Sequence, residues 1–116
     1  MEKILVVNND FDTMELIKRC LERKKFEVKF TSNEDEVPGI IKSFQPDLLL
    51  VDVLQEMVAK KVRSNARTKS IPILLMTGYT NTSRTFSKED VDDIIEKPFQ
   101  PAVLEVKIRK LLTKTG

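Results

Sequence analysis

Short apolar runs and helically spaced apolar residues take turns along the chain, and that order restricts the possible folds more than any single residue does. Ile4–Val7 (ILVV) is a continuous apolar run, as in a strand covered on both faces. Met14, Ile17, Cys20 and Leu21 then recur at helical spacing, with Asp12 placed as the N-cap. Glu27–Phe30 (EVKF) alternates polar and apolar, which predicts a more exposed strand. Val37, Ile40, Ile41 and Phe44 follow the rule of an amphipathic helix, and Pro38 and Gly39 push its start towards Val37. DLLLVD and IPILLMT read as two more buried strands, separated by a helical stretch around Met57, Val58 and Val62. The stretch NTSRTFSKEDV has only Phe86 and Val91 as large anchors, so a single turn is predicted there, capped by Ser87 with Asp90 in the capping-box position. DIIEK (Asp93–Lys97) makes a fifth strand, and a last helix carries Val103, Leu104, Lys107, Ile108, Leu111 and Leu112 as one wide stripe. Strand then helix throughout predicts an α/β fold. Its centre is a five-stranded, doubly wound parallel sheet in a three-layer α/β/α sandwich, because parallel crossovers need a helix and are right-handed.

Composition sets the outer bounds. With 116 residues, 41% hydrophobic and 33% charged, the chain can bury one good core, so residues 1–116 are expected to form one domain. The net charge is +2 and the lysines lie among acids, KKVRSNARTK reading as a solvated helix face, so no nucleic-acid or membrane partner is expected. Cys20, the single cysteine, sits among apolar residues and reads as a small buried hydrophobe. No apolar run reaches the length of a membrane span and the first residues enter a strand directly, so a cytoplasmic location is expected.

In doubly wound sheets chemistry collects outside the carboxyl ends of the strands. Those ends carry Asn8, Asn9 and Asp10 after the first strand, Asp52 after the third, Thr77 with Gly78 after the fourth and Lys97 with Pro98 after the fifth. A carboxylate, a hydroxyl and an ammonium on one edge suit the transfer of a phosphoryl group onto Asp52. Two enzyme classes on similar sheets are disfavoured. NNDFD lacks the glycine and hydroxyl donors of a flavin-phosphate loop, and Leu54 stands where an aspartyl phosphatase of the haloacid dehalogenase type needs a second acid.

In this order and spacing, KILVV, SNEDEVPGIIKSFQPDLLLVDV, IPILLMTG and DDIIEKPF resemble a response regulator receiver domain of two-component signalling over essentially the whole chain. The resemblance implies a flavodoxin-like fold, Asp52 as phosphoacceptor, Thr77 and Lys97 as catalytic residues, and a cis peptide before Pro98. It also implies a histidine kinase or phosphotransfer protein as donor and a downstream protein partner or output domain as receiver of the signal. An acidic pair that binds magnesium in typical members maps to Asn8 and Asn9, which leaves Asn9, Asp10, Asp52 and Leu54 as a weakened or lost metal position.

The amides change the charge balance. Typical members gather three carboxylates and one ammonium, about two negative charges in excess, which magnesium neutralises. Here Asp52 and Lys97 balance each other. Two unit charges 4 Å apart interact by about 4 kcal/mol at an effective dielectric near 20, so two missing carboxylates weaken divalent binding strongly. The amides also suit a turn that bonds its own backbone. Further departures are VLQEMVAKKV, without the family's usual proline and glycine after the aspartate, a third helix expected to be short or displaced, and Ile94 at the aromatic switch position, with no ring to rotate. Two functions therefore stand side by side. One is a phosphorelay receiver using Asp52, and the other a phosphorylation-independent pseudo-receiver that binds partners around a structural Asp52–Lys97 ion pair.

Overall fold

In the computed structural model, which describes residues 1–78 and 90–114, five strands lie parallel in one sheet. They are β1 (Lys3–Val7), β2 (Glu27–Thr31), β3 (Leu48–Asp52), β4 (Ile73–Gly78) and β5 (Asp93–Lys97), in the spatial order β2-β1-β3-β4-β5. This is the flavodoxin-like arrangement, with its switch point between β1 and β3. The helices are α1 (Phe11–Glu22), α2 (Val37–Phe44), α3 (Glu56–Ser64) and α4 (Pro101–Lys114), and short 3-10 turns at Glu34–Glu36 and Val53–Gln55 lead into α2 and α3. The predicted turn around Phe86 and Ser87 lies outside the described residues. Among the described residues, no helix is long and apolar enough to cross a membrane.

Strand alternation sorts the core into two halves. Ile4, Val6, Leu48, Leu50, Leu74, Met76 and Ile95 face α1 and α4, packing with Ile17, Leu21, Leu104 and Ile108. Leu5, Val7, Leu49, Val51, Ile73 and Leu75 face α2 and α3, packing with Val37, Val58 and Val62. Both halves are rich in residues with no exposed surface, which is why β1, β3 and β4 read as unbroken apolar runs. β2 is an edge strand and keeps the polar alternation of EVKF.

Helix starts show where local chemistry wins. α2 begins at Val37 with proline in its first turn, where the missing N–H has no partner to lose. α1 is capped by Asp10 and not by Asp12: Asp10 has extended backbone angles and its side chain accepts from the Asp12 amide. Both acids fit a cap pattern, and the turn that Asn8 makes on Asp10 decides between them. A second correction concerns α4, whose buried stripe is Leu104, Ile108 and Leu111. Val103 is 43% exposed and sits outside the stripe.

Leu50→Ala should therefore destabilise the protein by about 2–5 kcal/mol, since it empties a fully buried site, whereas Val103→Ala should stay within about 0.5 kcal/mol. Urea unfolding of both variants checks this, and equal losses would put Val103 back in the core.

Candidate functional site

Register brings the strand ends together. Val7 pairs with Val51, so Asn8 stands level with Asp52, and Asp52 pairs with Met76, one residue before Thr77. Lys97 pairs with Gly78 across β5 and β4. By alternation Asp52 and Lys97 share the sheet face of Leu50 and Ile95. They are not on neighbouring strands: Lys97 reaches across β4, about 9.6 Å of sheet. The β4 residue level with it is Gly78, which has no side chain to obstruct the crossing.

The lysine ends on the carboxylate. Lys97 Nζ donates to Asp52 Oδ2 at 2.6 Å, and the Leu54 amide donates to Asp52 Oδ1 at 2.9 Å. Asp52 is 1% exposed, so its charge is held by these two donors in place of water. Thr77 is buried at the end of the intervening strand. The Lys97–Pro98 peptide is cis, as the resemblance implies. Ile94 is half-buried and packs with the α2 and α3 side of the core.

The two amides behave differently. Asn8 is buried and uses both ends of its side chain on one neighbour: its Oδ1 accepts from the Asp10 amide at 2.9 Å and its Nδ2 donates to the Asp10 carbonyl at 3.3 Å. Asn9 is exposed. Asp10 turns away to cap α1, accepting from the Thr13 hydroxyl at 2.6 Å and the Asp12 amide at 3.2 Å. The Thr13 bond is the main reason its carboxyl is held below the ordinary 3.8. Desolvation acts against it, and the Asp12 amide and the Lys97 charge add to the lowering. The Leu54 side chain is 76% exposed and carries no donor atom, so only its backbone carbonyl has metal-binding chemistry.

These residues do not fit a tightly held divalent cation. Asn8 is committed to its turn, Asp10 to its cap, and both Asp52 oxygens to donors, one of them a cation. Among the described residues, no group of three or more acidic, histidine or cysteine side chains could hold a metal. Asn9, Asp10, Asp52 and Leu54 are thus near one edge without forming a preassembled shell.

Sequence reasoning missed Gln55. It is 5% exposed, its Nε2 donates to the Ser32 carbonyl at 3.1 Å, and its Oε1 has no partner among the described residues. In VLQEMVAKKV nothing sets Gln55 apart, since exposed Leu54 and Met57 stand beside buried Val53 and Val58 and the run follows no single period.

Residues 4–109 match the family model of the response regulator receiver domain. The transcriptional regulatory protein SrrA of Staphylococcus aureus is 32% identical over 97% of this chain and 48% of its own length. The phosphate regulon transcriptional regulatory protein PhoB of Pseudomonas aeruginosa is 28% identical over 97% of this chain and 52% of its own. The chain spans about half the length of these curated relatives. The N-terminal domain of the nisin resistance regulator NsrR, a lantibiotic response regulator, superposes with a TM-score of 0.79 at 28% identity, covering 97% of this chain and 98% of that one.

Two outcomes follow from the amides and the cap. Asp10→Ala should lower stability at neutral pH by about 1 kcal/mol, the usual loss of a cap. A lowered carboxyl pKa stabilises above its unfolded value, so this deficit should shrink as pH falls below 3.8 and through the native value. Urea titrations at neutral pH and well below 3.8 read it, and a pH-independent deficit would deny Asp10 its charge contribution. Asn9→Asp should raise magnesium affinity at least tenfold, about 1.4 kcal/mol. Asn8→Asp should gain less, because it sets an oxygen against the Asp10 carbonyl where an N–H now donates. Calorimetric titration decides, and wild-type binding as tight as that of Asn9→Asp would refute the charge argument.

Proposed function

The chain belongs to the response regulator receiver domain family of two-component signal transduction, and from that premise we propose that Asp52 accepts a phosphoryl group from a histidine kinase or phosphotransfer protein. The observation that carries the reading is the buried Asp52 carboxylate with Lys97 Nζ 2.6 Å away at the carboxyl edge of the sheet. An Asp52 oxygen forms the new O–P bond while the N–P bond of the donor phosphohistidine breaks, its electron pair returning to the imidazole nitrogen. Lys97 then faces a new set of anionic oxygens and can pair with them in place of the lost carboxylate charge. Thr77, at the end of the strand that Lys97 crosses, is assigned the hydroxyl that meets the phosphoryl group.

Charge supports this order of events. Asp52 and Lys97 are neutral as a pair, so an anionic donor approaches the site without the excess negative charge that a second and third carboxylate would add. Whatever magnesium contributes is weak, and no step here depends on it. Residues 1–116 act in this reading as one cytoplasmic receiver unit that signals by protein contact, without binding nucleic acid itself. The reader of the signal is an output domain, which the twofold greater length of SrrA and PhoB supports, or else a separate downstream protein.

Intact-mass spectrometry after exposure to acetyl phosphate, with and without magnesium, should reveal a single phosphoryl adduct that disappears in Asp52→Asn. Lys97→Ala should slow its formation at least tenfold, about 1.4 kcal/mol in the barrier. No adduct from acetyl phosphate or from a phosphorylated histidine kinase would leave the ion pair a structural bridge and the chain a pseudo-receiver.

A further inference from the structure

On one face of the sheet α2 and α3 run side by side and leave a groove of about 650 Å³ between them. Its floor is aliphatic. Val37, Val58 and Val62 are buried beneath it, and Ile41 and Ile71 are half-buried along it. Its two ends carry opposite charge. Glu34 and Asp35, in the turn leading into α2, line the end at the carboxyl edge of the sheet. Lys42 near the end of α2, Lys61 near the end of α3 and Arg67 beyond it line the other. All five charged side chains are exposed, and none has an ion-pair partner among the described residues.

We propose that this groove docks an amphipathic helix of a partner protein, one with acidic residues in its first turn, an aliphatic stripe, and basic residues in its last turn. The groove selects the direction of that helix. An acidic first turn belongs beside Lys42, Lys61 and Arg67, and a basic last turn beside Glu34 and Asp35, so the guest runs antiparallel to both α2 and α3. That direction also sets the guest's macrodipole against those of its two neighbours. An acidic start and a basic end are what a stable helix favours by itself, so the partner loses nothing by matching the groove. The eight residues of α2 give a wall of about 12 Å, enough for two to three turns of a guest. A second copy of this chain is a poor occupant, because α1 and α4 already spend Ile17, Leu21, Leu104 and Ile108 on their own sheet.

The proposal is independent of chemistry at Asp52, and its test uses the whole chain as it stands. The probe is a synthetic peptide of about four turns, roughly 14 residues, with Glu and Asp first, Leu at helical i, i+3, i+4 and i+7 positions, and Lys and Arg last. Its counterpart exchanges the two charged ends. Fluorescence anisotropy should give binding of the first peptide in the micromolar range, weakened by salt, and binding of the second at least tenfold weaker. Amide shifts in NMR spectra should map to α2 and α3. The variant combining Glu34→Lys, Asp35→Lys, Lys61→Glu and Arg67→Glu alters exposed side chains only and should reverse the preference. Equal binding of the two peptides, no binding of either, or shifts confined to other elements would overturn the proposal. So would sedimentation showing that self-association covers the groove, or occupancy by dodecanoate with no peptide binding.

Discussion

A carboxylate taken out of water without a partner destabilises a protein by several kcal/mol, so the 1% exposure of Asp52 obliges the fold to bring it a cation. Lys97 is that cation, and it comes from a strand that does not touch β3. The contact therefore fixes more than a pair of side chains. It requires β4 to end in Gly78 level with Lys97, β5 to present Lys97 on the face of Ile95, and the chain after Asp52 to turn at once so that the Leu54 amide reaches the second oxygen. Removing the lysine would leave a buried, unpaired charge, whereas removing both charges would leave only a packing question.

The amides after β1 belong to the same balance. An acid at position 8 would face the carbonyl of Asp10 and stand level with Asp52, adding repulsion on two sides. Asn8 instead donates and accepts there, and the turn it closes delivers Asp10 to the first turn of α1 as a cap. The amide at position 8 thus serves local structure. The result is an edge that is neutral and hydrogen-bonded as it stands, where a site of several carboxylates would depend on a cation to hold them together.

The sheet was legible because burial on both faces leaves a plain mark: Ile4–Val7 and Leu48–Val51 are unbroken apolar runs, and their alternate members go to opposite halves of the core. The candidate site was legible for the same reason, since strand ends are where such runs stop, and Asp52, Thr77 and Lys97 stand at those stops. The cap of α1 was not, because Asp10 and Asp12 both satisfy the local pattern and the choice rests on a backbone turn made by Asn8. Val103 was misread because a stripe at helical spacing tells which side faces inward but not how wide the covering layer is. Gln55 escaped because its partner, the Ser32 carbonyl, is 23 residues away and no periodicity announces such a contact.

That contact gives the molecule a physical route between its two candidate surfaces. The segment leaving Asp52 carries Gln55, Gln55 holds the Ser32 carbonyl, and the loop beyond Ser32 carries Glu34 and Asp35 at one end of the groove. Thr31 and Glu36 brace the same loop through a 2.8 Å hydrogen bond. The Gln55 Oε1 has no hydrogen-bond partner among the described residues, so this side chain anchors the loop through its Nε2 alone. Ile94, half-buried against the α2 and α3 side of the core, offers no ring to swing outward. Two contacts hold the Asp52 carboxylate, the Lys97 ammonium and the Leu54 amide, and the second leads into the segment that carries Gln55. The Asp52 edge and the acidic end of the groove are thus joined by one short run of chain and one side-chain hydrogen bond.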